Sequence, residues 1–348
     1  MPVPNTNASH DFIFAKLHGL WANAVKGDAL DKLLRSGTPE SLQRNLHAFG
    51  LDMPSREDFN KELMAREIGF LDRTARLLDN AAAEFYRALI AKTYYSNLKT
   101  MLHYRFFPER EAEVFWLLIE APGLPSFNAE QLLEVSGTQA FIEQLPISSG
   151  MTSEALADVV LALEKDKEIM AAECALDRMC YANILAHAQA VPMDMRATCK
   201  ELVECEIDIT NICMLLRNVK TYKLDGKRLE RLWLRGGSQL SPERLSQLAT
   251  AESIPKVVSL LPKLYGNMLE PLKDSALFHS ENRLWNHLYG LAAKAFRDFD
   301  NEALSIAAFP FLVHFEALNI GRVYEAVHFG IPTRDMQDMM IGGHASVR

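Results

Sequence analysis

Two carboxylates in this sequence have the type and spacing that could support acid–base chemistry. Asp208 lies three residues before Asn211, and Glu316 lies three residues before Asn319, which places each acid on the same helical face as its asparagine. The pair could act as acid–base groups or as the centre of a partner-binding site. Alternatively, they accept hydrogen bonds from loop backbone and from basic side chains and fix how the chain folds back. The segment before Asn97 is similar to these two, but it has Tyr94 in place of the acid. Because one of the three lacks a carboxylate, the structural interpretation is favoured.

Other catalytic patterns are absent from the sequence. The one Gly-Lys pair lacks the upstream glycine and following hydroxyl of a phosphate-binding loop, and there is no Gly-x-Ser-x-Gly. Cys174 and Cys180, like Cys199 and Cys205, are six residues apart, so in a helix the members of each pair point to different faces and are expected in the core. We predict no catalytic residue, no cofactor and no metal site. A helical enzyme remains an alternative if distant residues assemble a site, and Asp208, Arg217 and Glu316 are its candidates.

A basic stretch surrounding Trp233 is a candidate docking surface for an acidic partner. Its cations include Lys223, Arg228, Arg231 and Arg235. The alternative is an ordinary solvated helix end, since positive side chains are common there without any partner.

A helical phrase occurs three times and divides the chain into units of similar length. It begins at Asn97, Asn211 and Asn319, so the second copy lies 114 residues after the first and the third lies 108 residues after the second. Gly123 and Gly237 each follow their asparagine by 26 residues. This regularity predicts three copies of one supersecondary plan.

Helix starts follow each copy at Asn128, Ser241 and Thr333, where a side-chain oxygen can cap the first turn. Joints are expected near Pro122 to Pro125 and at Gly236-Gly237. The predicted organisation is a disordered segment and three helical domains: residues 1–10, 11–122, 123–236 and 237–348.

Helical periodicity dominates, and the predicted fold is all-α. Asp58 to Leu102 is predicted as one or two long helices. Between Leu202 and Val219, apolar residues fall on one face, with Lys200, Glu204 and Asn211 on the opposite side, as in an amphipathic helix packed on a core.

Composition describes a globular protein with an acidic balance. The 348 residues are 49% hydrophobic, and a net charge of −8 argues against general attraction to nucleic acid. The longest apolar stretch, Ala303 to Phe315, is shorter than the roughly 20 residues of a spanning helix. The N-terminus lacks signal-peptide features, and the odd cysteine count fits a reducing compartment, so a cytoplasmic location is expected.

The sequence resembles the central-stalk subunit called C in archaeal and bacterial A/V-type rotary ATPases and d in eukaryotic V-type ATPases. The similar segments, in order, are Leu46 to Gly50, Glu206 to Arg217, Arg235 to Leu240 and Phe315 to Ile320. They carry Asp208, Asn211, Arg217, Gly236, Gly237, Glu316 and Asn319. The chain departs from the family in having Val313-His314 where Lys-Glu is usual, and in lacking an acid before Asn97.

The resemblance implies three similar helical domains in a pseudo-threefold funnel. It implies a non-catalytic socket between the soluble rotor shaft and the cytoplasmic loops of the membrane proteolipid ring, relaying torque for proton or sodium ion transport. The protein would be peripheral to the membrane, with no spanning segment of its own. A generic helical adaptor of another complex is the alternative that the repeats equally permit.

Overall fold

A computed structural model of the chain describes residues 6–52, 55–107, 117–126, 128–147, 150–272 and 275–343. Helices connected by turns make up these residues, and no strand occurs among them, which confirms the all-α prediction. The helices are α1 Thr6–Ala22, α2 Asp28–Leu34, α3 Pro39–His47, α4 Arg56–Ala75, α5 Asn80–Phe106, α6 Ala129–Glu134, α7 Thr138–Gln144, α8 Ser153–Asp166, α9 Ile169–Ala190, α10 Met193–Arg217, α11 Gly226–Glu230, α12 Pro242–Leu248, α13 Ile254–Leu260, α14 Lys263–Leu269, α15 Leu277–Phe296, α16 Glu302–His328 and α17 Thr333–Met339.

Three hairpins of long helices form the centre of the molecule. They are α4–α5, α9–α10 and α15–α16, and the second helix of each carries one of the repeated asparagines. Helix α5 of the first hairpin packs on α9 of the second, α10 of the second packs on α15 of the third, and α16 of the third packs back on α4. The contacts between hairpins therefore follow a closed cyclic order.

The buried side chains form two hydrophobic clusters. The larger extends through the three hairpins, whereas the smaller joins the two ends of the chain. In the smaller cluster, Leu33, Leu42 and Phe59 from the N-terminal helices pack with Val323 and Met336 from the last two helices. The first and last parts of the sequence consequently share one core.

Helix α16 is nearly surrounded by protein and contains a proline. Pro310 has no N–H, so the carbonyl of Ile306 lacks its usual helical donor. The buried hydroxyl of Tyr86 on α5 donates a hydrogen bond to that carbonyl at 2.7 Å. A side chain from another hairpin thus replaces the bond that the proline removes.

By length and composition alone, α16 is the one helix among the described residues that is apolar enough to cross a membrane. The apolar run from Ala303 to Phe315 is only part of this helix, which spans 27 residues. In this fold 78% of its most apolar 18 residues are buried inside the protein, as is usual for a core helix.

The helix boundaries refine the predicted ones. The predicted Asp58–Leu102 segment is two helices, and Asp79 caps the second by accepting a hydrogen bond from the N–H of Ala82. Asn128 and Ser241 cap α6 and α12 as expected, whereas the prediction of a cap at Thr333 is wrong, because Pro332 precedes the helix and Thr333 is its first residue. Helix α1 begins at Thr6, inside the segment predicted to be disordered, and residues 1–5 of that segment lie outside the described residues.

Candidate functional site

The three repeated asparagines make the same pair of hydrogen bonds. Each side-chain amide donates to the carbonyl of a residue 22 or 23 positions later, and its oxygen accepts from the N–H of that same residue, at 2.7–3.0 Å. We call this arrangement the asparagine clamp. The pairs are Asn97 with Ile119, Asn211 with Leu234 and Asn319 with Ile341.

In each hairpin, the asparagine clamp holds the segment that follows the second long helix against that helix. All three asparagines are buried, so water cannot substitute for the protein partners. Asn211 was predicted to lie opposite the apolar face of α10, and it is nevertheless buried, because the chain folds back over that part of the helix. Lys200 and Glu204, on the same side, remain partly exposed.

Asp208 binds the loop that follows the clamp. Its carboxylate accepts hydrogen bonds from the backbone N–H groups of Gln239 and Leu240 at 2.8 and 3.2 Å, and from the hydroxyls of Ser238 and Tyr265 at 3.3 Å. Burial raises the pKa of this carboxyl, and the backbone N–H groups oppose that rise. Among the described hydrogen bonds of Asp208, none comes from a basic side chain, and it acts here as an acceptor for backbone.

Glu316 occupies the equivalent place on α16 but binds the beginning of the chain. Its carboxylate accepts a hydrogen bond of 2.7 Å from the N–H of Val25, between α1 and α2, and burial raises its pKa. In the first hairpin, Tyr94 donates its hydroxyl proton to the carbonyl of Pro146. The position three residues before each asparagine therefore always bonds to backbone, although the residue type differs.

Gly236 and Gly237 allow the chain to approach α10 closely. Gly236 has a φ of +97°, a conformation that other residues rarely adopt. A β-carbon on Gly237 would lie 2.0 Å from a carboxylate oxygen of Asp208. The glycine pair is thus required by the same loop that Asp208 binds.

Side-chain contacts at the same register join neighbouring hairpins. Arg217, six residues after Asn211, binds Glu281 on α15 through two bonds of 2.7 and 2.8 Å. His103, six residues after its own asparagine, lies 3.2 Å from Glu173 on α9. Because Glu281 follows Glu173 by 108 residues, the same interval that separates the second and third asparagines, the two pairs occupy corresponding places.

The candidate docking residues lie around a groove of about 700 Å³ between α8, α9 and the segment after α11. Arg231 and Arg235 line it, and Arg228 and Arg231 approach the carboxylate of Glu168 at 3.9 and 3.7 Å. Lys223 instead folds back to donate to the carbonyl of Val219. The four cations are therefore not one continuous basic patch, and two of them already face an acid.

A central polar cluster lies where the three long helices approach one another. We define it as Glu67, Lys92, Tyr181, Glu206 and His314. The ammonium of Lys92 lies 2.6 and 2.7 Å from the two oxygens of Glu206, which also accepts from the hydroxyl of Tyr181 at 3.0 Å. The Nδ1 atom of His314 lies 3.0 Å from a carboxylate oxygen of Glu67. Each ion pair joins two different hairpins.

The central polar cluster borders a cavity of about 180 Å³. The His314 side chain, which lines this cavity, is 51% exposed, whereas that of Glu67 is only 8% exposed. Burial alone would lower the pKa of His314, but the charge and hydrogen bond of Glu67 outweigh it and raise the pKa above its ordinary value. The second carboxylate oxygen of Glu67 is buried without a hydrogen-bond partner.

Burial also governs the five cysteines, all of which are free and buried. The loss of hydration raises the pKa of the Cys174 thiol to about 11 and those of Cys180, Cys205 and Cys213 to about 12. The pKa of Cys199 is raised further for the same reason. Burial and the raised pKa values favour the protonated thiol, so we expect all five to react slowly in the folded protein.

The residues of the enzyme alternative do not share a site. The described hydrogen bonds link Asp208 to the loop after the clamp, Arg217 to α15, and Glu316 to the α1–α2 connection. Within the described part of the chain, no group of three or more histidine, cysteine or acidic side chains is arranged to hold a metal ion.

Sequence reasoning missed the central polar cluster. Lys92, Glu206 and His314 each lie five residues before a repeated asparagine, so their common position could have been read from the repeat. Their side chains have different charges, however, and residue type alone gave no sign that they meet.

A protein-family model described as "ATP synthase (C/AC39) subunit" matches residues 10–339. A search of curated proteins found no match to this chain. The family match spans all three hairpins and confirms the resemblance drawn from the sequence segments. The chain therefore belongs to the ATP synthase C/AC39 subunit family.

Proposed function

We propose that this protein is the non-catalytic socket of the central stalk in a V/A-type ATPase. In this role it links the soluble rotor shaft to the cytoplasmic loops of the proteolipid ring and relays torque for ion transport. It is a cytoplasmic protein held at the membrane by the complex, and it catalyses no reaction itself. Family membership supports the assignment to the complex, and the arrangement of the hairpins supports the mechanical part.

The observation that carries the mechanical part is the closed cyclic order of the hairpin contacts. A torque applied to one hairpin reaches the other two by packed helices, because α5 contacts α9, α10 contacts α15 and α16 contacts α4. Close-packed interiors have low compressibility and transmit strain. Ion pairs between hairpins, such as Arg217 with Glu281, also resist sliding along the helix axes.

We further propose that the three hairpins belong to three similar domains, residues 11–122, 123–236 and 237–348, related by a pseudo-threefold axis. The three asparagine clamps support this arrangement, since each joins equivalent places in sequence. The shared core of the chain ends also supports packing between the first and third of these proposed domains.

We retain the basic stretch as a proposed docking surface for an acidic segment of a partner. Arg228 and Arg231 keep 63% and 67% of their side chains exposed despite their approach to Glu168. An acidic partner would compete with Glu168 for both guanidinium groups. Replacing Arg228 and Arg231 by glutamate should weaken binding of that partner, with Lys263→Glu on α14 as the control charge reversal.

The assignment is tested by affinity purification of the tagged full chain from detergent-solubilised native membranes. We expect rotor-shaft and proteolipid subunits to co-purify, identified by peptide mass spectrometry, and the purified chain alone to show no ATP hydrolysis. Recovery of neither subunit would refute the socket. Recovery of only one would refute the linking role while leaving membership of the complex intact.

A further inference from the structure

The central polar cluster contains one residue from the same repeat position in each hairpin. Lys92, Glu206 and His314 lie five residues before their respective asparagines. Two of these residues also contact corresponding places on the next hairpin: His314 pairs with Glu67, and the ammonium of Lys92 lies 5.2 Å from the ring centroid of Tyr181. Tyr181 follows Glu67 by 114 residues, the interval between the first two asparagines.

Within the central polar cluster, the contact of His314 with Glu67 is the one that joins the third hairpin to the first. We propose that His314 and Glu67 form a pH-sensitive clasp that closes the ring of hairpins, strong while His314 is protonated and weaker after it loses its proton. The clasp is a property of the fold, and only its consequence for torque transfer rests on the proposed function.

The charge balance of the central polar cluster depends on His314. The charged groups facing the imidazole are Glu67 on α4, Lys92 on α5 and Glu206 on α10. From α15, Trp285 and Leu288 reach the same cavity and carry no charge. With His314 protonated, two cations balance two carboxylates, whereas neutral His314 leaves Lys92 as the single cation.

Among the described residues, Glu67 has no other donor to compensate for that loss. One of its oxygens binds His314, and the other is buried without a partner. A carboxylate in such a place is stabilised mainly by the neighbouring positive charge. Deprotonation of His314 therefore weakens the α16–α4 contact specifically.

The direction of the pH dependence follows from the raised pKa of His314. A group whose pKa is higher in the folded than in the unfolded protein stabilises the fold fully below its unfolded value, about 6.5. This stabilisation is lost as the pH rises through the folded value. His18 and His287 have lowered pKa values because of burial, so their contributions change at and below pH 6.5, in a different window.

The first experiment measures the titration of His314 by NMR of the full chain labelled with ¹³C-histidine, with the signal assigned by its loss in His314→Gln. We expect a midpoint above 6.5 in the wild type and a decrease of about one pH unit in Glu67→Gln, which keeps the shape but removes the charge. Glu84→Gln, which removes an exposed carboxylate on α5, is the matched control and should leave the midpoint unchanged.

The second experiment compares thermal unfolding at pH 6 and pH 8.5. We expect the melting temperature of the wild type to exceed that of His314→Gln at pH 6, and this advantage to shrink towards zero at pH 8.5. Hydrogen exchange in α4, corrected for the intrinsic pH effect, should be faster at pH 8.5 than at pH 6 in the wild type and independent of pH in the variant.

Any one of three results would overturn the clasp. The first is a His314 midpoint at or below 6.5, and the second is a midpoint that Glu67→Gln leaves unchanged. The third is a difference in melting temperature between wild type and His314→Gln that is the same at both pH values. If His314→Gln fails to fold, the wild-type and Glu67→Gln titrations decide the matter, with the signal assigned through backbone resonances. Failure to recover ATPase subunits in affinity purification would bear on the proposed function and leave these results unaffected.

Discussion

Replacing Asn211 by alanine should destabilise the protein more than its small change in volume suggests. The substitution removes both hydrogen bonds to Leu234 and leaves that residue's N–H and C=O buried without partners. Each buried group left unsatisfied costs about 1–3 kcal/mol, so the expected loss in the free energy of unfolding is about 2–6 kcal/mol.

Two further variants separate hydrogen bonding from packing. Asn211→Asp has nearly the same shape and keeps an acceptor for the N–H of Leu234, but it places a carboxylate against the carbonyl that the amide had bonded. It should therefore be destabilised despite preserved volume. Thr210→Ala is the neighbouring control, since the Thr210 hydroxyl bonds only within its own helix, to the carbonyl of Glu206, and its loss should cost under about 1 kcal/mol.

Urea unfolding followed by circular dichroism gives the global effect, and hydrogen exchange at the Leu234 amide gives the local one. We expect that amide to lose its protection in Asn211→Ala before the long helices do, because the clamp holds a segment leaving the hairpin. An Asn211→Ala protein within about 0.5 kcal/mol of the wild type would show that the clamp contributes little. Asn97→Ala and Asn319→Ala should behave alike, and a large effect at only one site would contradict the equivalence of the three clamps.

Three further predictions concern other features of the core. Tyr86→Phe should lower the free energy of unfolding by about 1–3 kcal/mol in the wild-type background. The loss should be much smaller when it is combined with Pro310→Ala, because alanine restores a helical donor for the carbonyl of Ile306. Equal losses in both backgrounds, measured by a double-mutant cycle, would exclude the proposed compensation. Gly237→Ala should displace the Asp208 carboxylate and lower the free energy of unfolding by at least about 2 kcal/mol, measured by thermal unfolding. Gly290→Ala, where a β-carbon meets nothing within 4 Å, should be neutral or stabilising in the same experiment. The five buried cysteines should react with a thiol reagent at pH 8 only after denaturant is added, and rapid labelling of the native protein would contradict their burial and raised pKa values.

The helical class of the fold could be predicted from periodicity, which is clearest where apolar residues recur on one face of α10. From Leu202 to Val219, the residues predicted to face the core are buried. The burial of Asn211 could not be predicted in this way, because periodicity describes one helix and its nearest core. The segment that covers the other side of α10 arrives 23 residues later.

The partners of the repeated positions could also not be predicted from local sequence. The repeat indicated that Glu316 is equivalent to Asp208, and both bind backbone N–H groups, yet the partner of Glu316 is Val25, 291 residues away. In the third unit the donor comes from the connection between α1 and α2. No spacing along the chain contains that information.

The shared core of the two chain ends has a consequence for how the protein reaches its native state. Leu33, Leu42 and Phe59 leave the ribosome long before Val323 and Met336 are synthesised, so the N-terminal helices must wait with apolar surface uncovered. Closure of the ring therefore cannot precede synthesis of the last two helices. Until it occurs, the nascent polypeptide presents a hydrophobic face that these helices cover in the folded protein, and we expect aggregation to be favoured at this stage.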